Sequence, residues 1–233
     1  MIHPIRLYGD PVLRRPAAPV RTFDETLARL ATDMSETMHD ARGVGLAGPQ
    51  VGVSFRLFVA LELAEPDEPD EDDTVAADAA DVAGAAGADT GHAPPEAGQV
   101  EVGVGEEEAP EPTVIAEHVM INPEITARAG LRVAPDGCLS VPGLWVEDME
   151  RDQWIAVRYQ DLRGRWQERE AEGHFAHVIQ HEIDHLDGVL FFDRFPPATR
   201  QRFMEEHRQE LADMQRRAKA FLRERQDARP EAG

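Results

Sequence analysis

The hexapeptide QHEIDH, Gln180 to His185, carries the densest chemistry in the chain. In a helix of 3.6 residues per turn, His181 and His185 project from one face about one turn apart. Two imidazoles so placed can hold a single cation. Glu182 sits about 100° round from His181, within reach of a water beside that cation without displacing a ligand. This is the logic of HExxH helices, in which two imidazoles bind metal and the carboxylate takes a proton from water. Val178, Ile179, Ile183 and Leu186 supply an apolar setting for that helix.

Catalytic sites of this kind take three protein ligands plus water. His177 precedes His181 by four residues, but about 12 Å of helix rise separates it from His185, too far for one ion. It reads as a partly buried neighbour of the site. Cys138 is the better candidate, as the chain's one thiol and a residue of the turn DGCLSVPG. A thiolate is a strong ligand for zinc or iron, although a lone cysteine also suits a structural role in a core. A third segment, GVGLAGPQVG at Gly43 to Gly52, permits close backbone approach to a ligand. By spacing alone it reads as a structural turn. It lacks the lysine of a phosphate loop and does not match a dinucleotide fingerprint. Gln50 within it can donate to a developing oxyanion.

The elements that must position these residues are legible by period. Leu27, Leu30, Met34, Met38 and Ala41 recur at three- and four-residue steps, which predicts a helix over Asp24 to Ala41. Thr22 and Glu25 stand in capping-box spacing, and Gly43 is a stop. Short strands are expected at Arg56 to Leu61 and near Val119 to Asn122. Trp154 to Tyr159 and Arg165 to Glu170 form a predicted hairpin through the DLRG turn. The metal-type helix runs from about His174 to Asp187. A last helix is expected from about Thr199 to Arg225, with Phe203, Leu211, Met214, Ala218 and Phe221 on one stripe. Strands interrupted by helices give an α+β reading.

The formal charge of −21 is concentrated. Glu62 to Glu111 holds 17 acidic residues and no Lys or Arg, leaving 28 acidic against 24 basic residues elsewhere. Charge alone therefore gives no case for nucleic-acid binding. Residues 62–112 have almost no large apolar side chain and read as a disordered insertion. One cysteine excludes an internal disulfide framework. The opening MIHPIRLYGDP has no apolar stretch of signal-peptide length, and no window is apolar enough for a membrane span, so a cytoplasmic protein is expected.

Taken together and in order, GVGLAGPQVG, DGCLS and QHEIDH resemble peptide deformylase. IRLYGDPVLRRPAAPV near the start and the tail HLDGVLFFDRF from His185 onward resemble that family too. The resemblance covers about Met1 to Leu61 and Val114 to Phe195. It implies an α+β fold with small antiparallel or mixed sheets packed around a central HExDH helix, plus an additional C-terminal helix. The catalytic domain would be residues 1–195, interrupted at 62–112, with 196–233 as C-terminal helix and tail. It implies removal of the N-formyl group from the initiator methionine of nascent polypeptides, releasing formate. Cys138, His181 and His185 would ligate one divalent metal, Fe(II) in cells and often replaceable by Zn, Ni or Co. Glu182 would be the general acid and base, with the Gln50 amide and the Leu139 N–H as oxyanion hole. Gly45 would hold an extended substrate backbone, and Val44 and the turn before His181 would line a methionine pocket. Asp136 stands where the family usually has Glu, and His174 and His177 stand where the pocket wall is often apolar. The C-terminal helix, associated in the family with ribosome contact, carries 9 basic and 6 acidic residues from Arg200 to Arg229. Its stripe also suits plain core packing. Two other readings share these residues: a metallopeptidase cutting internal bonds, and a non-catalytic relative that binds ribosomes or nascent chains.

Overall fold

A computed structural model describes residues 1–64 and 112–227. Helix α1 (Glu25–Asp40) leads to a short strand β1 (Gly45–Ala47) and a 3-10 turn at Gly48–Val51. Strands β2 (Leu57–Leu63), β3 (Val114–Ala129), β4 (Arg132–Gly137), β5 (Trp145–Arg151), β6 (Trp154–Gln160) and β7 (Trp166–Glu172) follow. The chain then enters α2 (Gly173–Leu186), α3 (Pro197–Glu206) and α4 (Arg208–Asp227). One antiparallel sheet has the order β1-β2-β3-β6-β7, and β4 and β5 form a second, two-stranded sheet. The fold is α+β, as expected.

Period-two alternation in β2 explains the layering. Phe58 and Ala60 face a core shared with Phe175, Ala176, Ile179, Ile183 and Leu186 of α2. Leu57, Val59 and Leu61 face the opposite way, onto Leu27, Met34 and Met38 of α1. A strand covered on both faces must be apolar throughout, as the run Leu57 to Leu61 is. Full burial contributes about 1.5–3 kcal/mol per large apolar side chain. The metal-type helix is consequently enclosed almost all round, with every residue from Phe175 to Leu186 buried. A third cluster joins the β4-β5 side to the C-terminal helices through Val141, Leu144, Met149, Phe191, Phe192, Phe203, Leu211 and Met214.

Several expectations are corrected. The cap of α1 is Asp24, whose carboxylate accepts from the Leu27 N–H at 3.0 Å, and not Thr22. The strand expected at Val119 to Asn122 runs sixteen residues, because Asn122 at φ +50° and register shifts between Ile121 and Glu124 and between Ile125 and Ala127 let it bend and continue against β6. The expected single C-terminal helix is broken at His207, where φ −101° and ψ 26° leave the helical region. Its stripe of Phe203, Leu211, Met214 and Ala218 is buried nonetheless, so it packs on the core. Glu62 belongs to β2 and not to the insertion: it accepts from Arg169 Nη2 at 2.5 Å and pairs with His118 Nε2 at 2.8 Å. Most of the expected insertion, residues 65–111, lies outside the described residues. Its flanks are joined by the Ala64 N–H donating to Thr113 O at 2.8 Å and by pairing of Leu63 with Val114.

Candidate metal centre and active site

Helix α2 presents His181 and His185 with ring centroids 5.0 Å apart. The turn after β4 brings Cys138 against them, its Sγ 3.1 Å from His185 Nε2. One donor atom each from Cys138, His181 and His185 lie within 4.8 Å of one another. His177 is not among them; its Nε2 stands 3.2 Å from Asp136 Oδ2 without the alignment of a hydrogen bond. A thiol and two imidazoles converging on one point suit zinc or iron chemistry. Among the described residues the buried Glu182 Oε2 has no hydrogen-bond partner, as expected of a carboxylate meant to face a bound species. The donor set therefore fits a single metal ion.

A network that sequence reading missed orients these side chains. Asp136 Oδ1 lies 2.8 Å from His181 Nδ1, which leaves the other ring nitrogen for the metal point. Arg151 Nη2 donates to Asp136 at 2.9 Å, and Arg151 Nη1 donates to Asp184 at 2.9 Å. Arg194 closes the chain onto Asp184. Metal-bound histidines typically have such a carboxylate on their second nitrogen, which fixes tautomer and orientation. Burial opposes charge on His181, but the neighbouring Asp136 carboxylate outweighs it and raises the pKa. Burial also opposes the charged form of Asp136, yet His181, His177 and Arg151 together hold it well below the usual carboxylate range. His185 is pushed down by burial and by His181. Only the proximity of Asp136 to Cys138 in DGCLS hinted at this network. Nothing in the sequence marked Arg151, whose strand β5 is rich in charged residues and shows no apolar alternation.

Glu182 is pushed up to about 7, chiefly by burial. Its Oε1 lies against β1, where a Cβ built on Gly45 would stand only 2.3 Å away. Only glycine lets the strand pass so close. Gly45→Ala is expected to displace Glu182 while leaving the sheet intact. A drop in turnover of about tenfold to a hundredfold, with unchanged far-UV circular dichroism, is the expected result, since small misplacements carry costs of that order. Unchanged turnover would show that Glu182 has room to move.

Gln50 is 1% exposed, and its Oε1 accepts from the Ala47 N–H at 2.7 Å. That bond turns Nε2 towards Cys138 Sγ, 3.6 Å away. A cavity of about 680 Å³ opens over these groups, lined by Val44, Gly45, Gln50, Cys138, Leu139, His181 and Glu182 among others. The other residues expected at the site thus meet around one cavity, and His185 is buried beside Cys138.

A buried carboxyl beside a Cys–His–His set, under an open cleft, is the arrangement of a single-metal hydrolase. A family model described as polypeptide deformylase matches residues 2–201. Peptide deformylase from Thermus thermophilus is 46% identical over 226 residues, covering 96% of this chain and 98% of that protein. A crystal structure of peptide deformylase from the same organism superposes with a TM-score of 0.70 at 42% identity, covering 93% of this chain and 99% of that one. A Met-Ala-Ser-bound class I type b peptide deformylase from Acinetobacter baumannii gives 0.61 at 28% identity, covering 84% and 99%. The chain belongs to the polypeptide deformylase family, whose metal-dependent members remove the N-formyl group from nascent polypeptides. Among the described residues no helix is long and apolar enough to cross a membrane.

Proposed function

We propose that Cys138, His181 and His185 hold one divalent cation, Fe(II) in cells with Zn, Ni or Co as replacements, and that Glu182 is the general acid and base of deformylation. When bound, the cation supplies positive charge that activates water at neutral pH and polarises the formyl oxygen. Glu182 accepts the proton of the attacking water and then passes it to the departing amine. Formate leaves with the water oxygen, and the methionine keeps a free amino group. The Gln50 Nε2–H, aimed by its bond to Ala47, and the Leu139 N–H donate to the oxyanion. Strand β1 is the sheet edge, so the backbone at Gly45 can receive an extended peptide, with Val44 and the turn before His181 flanking the methionine side chain. The observation that carries this reading is the buried Glu182, held against Gly45 in the cavity that Cys138 and His181 also line. Formate release from formyl-Met-Ala by metal-quantified protein tests it, with a blocked internal peptide as contrast. Cleavage of the internal peptide alone would transfer the site to a peptidase.

Residues 1–195 are read as the catalytic unit, with 196–233 as a C-terminal addition whose basic residues offer a ribosome contact in the cytoplasm. The acidic segment is read as dispensable, since the backbone on its two sides is already hydrogen-bonded between Ala64 and Thr113. Replacing residues 66–111 with a short Gly/Ser linker should leave metal content and activity on formyl-Met-Ala near wild type. A large loss of activity in a folded replacement would show that the segment shapes the site.

A further inference from the structure

Arg42 adopts φ +53°, one of two non-glycine residues with positive φ among the described residues. It follows α1 at the position where a left-handed residue closes the helix. The Arg42 N–H donates to His39 O at 3.0 Å and the Gly43 N–H to Met38 O at 2.9 Å, the bond pair of a Schellman cap. Glycine is the residue this position favours, because an L side chain is strained there. The other exception, Asn122, has its side chain bound on both sides, by Val20 and Gln160. Among the described residues the Arg42 side chain has no such pair of hydrogen bonds. Its side chain is exposed, and among the described residues no carboxylate lies within ion-pair distance of it. It does, however, line the cavity that holds Cys138, His181 and Glu182. Strain kept without local compensation is a pointer to function.

The geometry points to Arg42 as a specificity-determining residue that binds an anionic side chain of the peptide two residues after formyl-methionine. This inference rests on the deformylase reading above. Gly45 abuts Glu182 at the reacting end, and β1 begins there as the free edge of the sheet. Arg42 lies three residues back along the same backbone and lines the same cavity as Val44, Gly45 and Glu182. A peptide laid in this cavity with its formyl group at Glu182, and running from Gly45 back past Val44, brings its third residue to the guanidinium. The cavity's carboxylates do not compete: Asp136 is bound by Arg151, and Glu182 is at the reacting end. The guanidinium fork suits a carboxylate, which it can bind with two N–H groups.

The test uses the metal-loaded full chain and C-terminally amidated formyl-Met-Ala-Glu, formyl-Met-Ala-Gln and formyl-Met-Ala-Lys. Expected kcat/KM falls in that order, with Glu over Lys by about two- to fivefold at low salt, the scale of an exposed ion pair. The ratio should shrink as ionic strength rises. In Arg42→Gln, which keeps a β-carbon at the strained position, the Glu over Lys preference should vanish; Arg42→Lys should keep part of it. Arg42→Gly should also lose the preference while melting a few degrees higher, because the strain is relieved. An equal Glu over Lys ratio in wild type and Arg42→Gln overturns the inference even if all three peptides are deformylated. Failure of wild type to release formate from any of the three overturns the deformylase reading, and the inference with it.

Discussion

Glu182→Gln is expected to bind metal and fold as wild type does, yet to lose about 10²- to 10⁴-fold in kcat on formyl-Met-Ala, the range for general acid–base assistance. Glutamine keeps the size and most of the hydrogen bonding of glutamate but cannot accept a proton. KM should change less, since Glu182 acts on water and the departing amine and does not hold the peptide. Burial raises the Glu182 carboxyl to about 7 in the metal-free protein, while a bound cation opposes that rise. The acidic limb of the wild-type kcat/KM profile is therefore expected at or below that value, and it should disappear in the glutamine variant. The same raised pKa has a consequence for stability. A carboxyl whose folded pKa lies above its unfolded value contributes stability at low pH that is lost as pH rises through about 7. Metal-free Glu182→Gln should thus melt above metal-free wild type at pH 8 and close to it at pH 4. Wild-type formate release by the variant at full metal occupancy would remove Glu182 from the mechanism.

Cys138→Ala is expected to lose most bound metal, with an affinity loss of at least about 10²-fold. That exceeds the 10- to 100-fold typical of a residue that only supports a ligand. Cys138 Sγ belongs to the group of donor atoms that meet within 4.8 Å, and without it two imidazoles remain. His177→Ala is the matched control. His177 sits on the same helix as His181 and is buried as it is, but it stands beside Asp136 and outside the donor group. It should retain metal. Elemental analysis of the purified variants, together with the cobalt-thiolate absorption of Co(II)-loaded samples, reads both outcomes. Metal kept in Cys138→Ala and lost in His177→Ala would move the third ligand onto the helix.

By itself the sequence determined the parts whose geometry is local. The pairing of His181 with His185, and the offset of Glu182, follow from 3.6 residues per turn once a helix is recognised. The α1 stripe and the β6-β7 hairpin are likewise short-range patterns. Cys138 was legible as the only thiol, but its meeting with His185, 47 positions later, depends on how the turn after β4 packs against α2. Gln50 reaches the same sulfur across 88 positions, steered by its bond to the Ala47 N–H. The β4-β5 pair escaped notice because its residues do not alternate apolar and polar. A buried ion pair between Asp136 and Arg151 spans it, with Asp184 on the far side of the arginine. Which charge meets which inside a protein is set by strand register and helix placement, so no residue spacing could announce it. The contact of Glu182 with the Gly45 backbone is of the same kind. The missing β-carbon at Gly45 is written in the sequence, but the reason for it, a carboxylate oxygen in the space that carbon would fill, exists only once β1 has packed against α2.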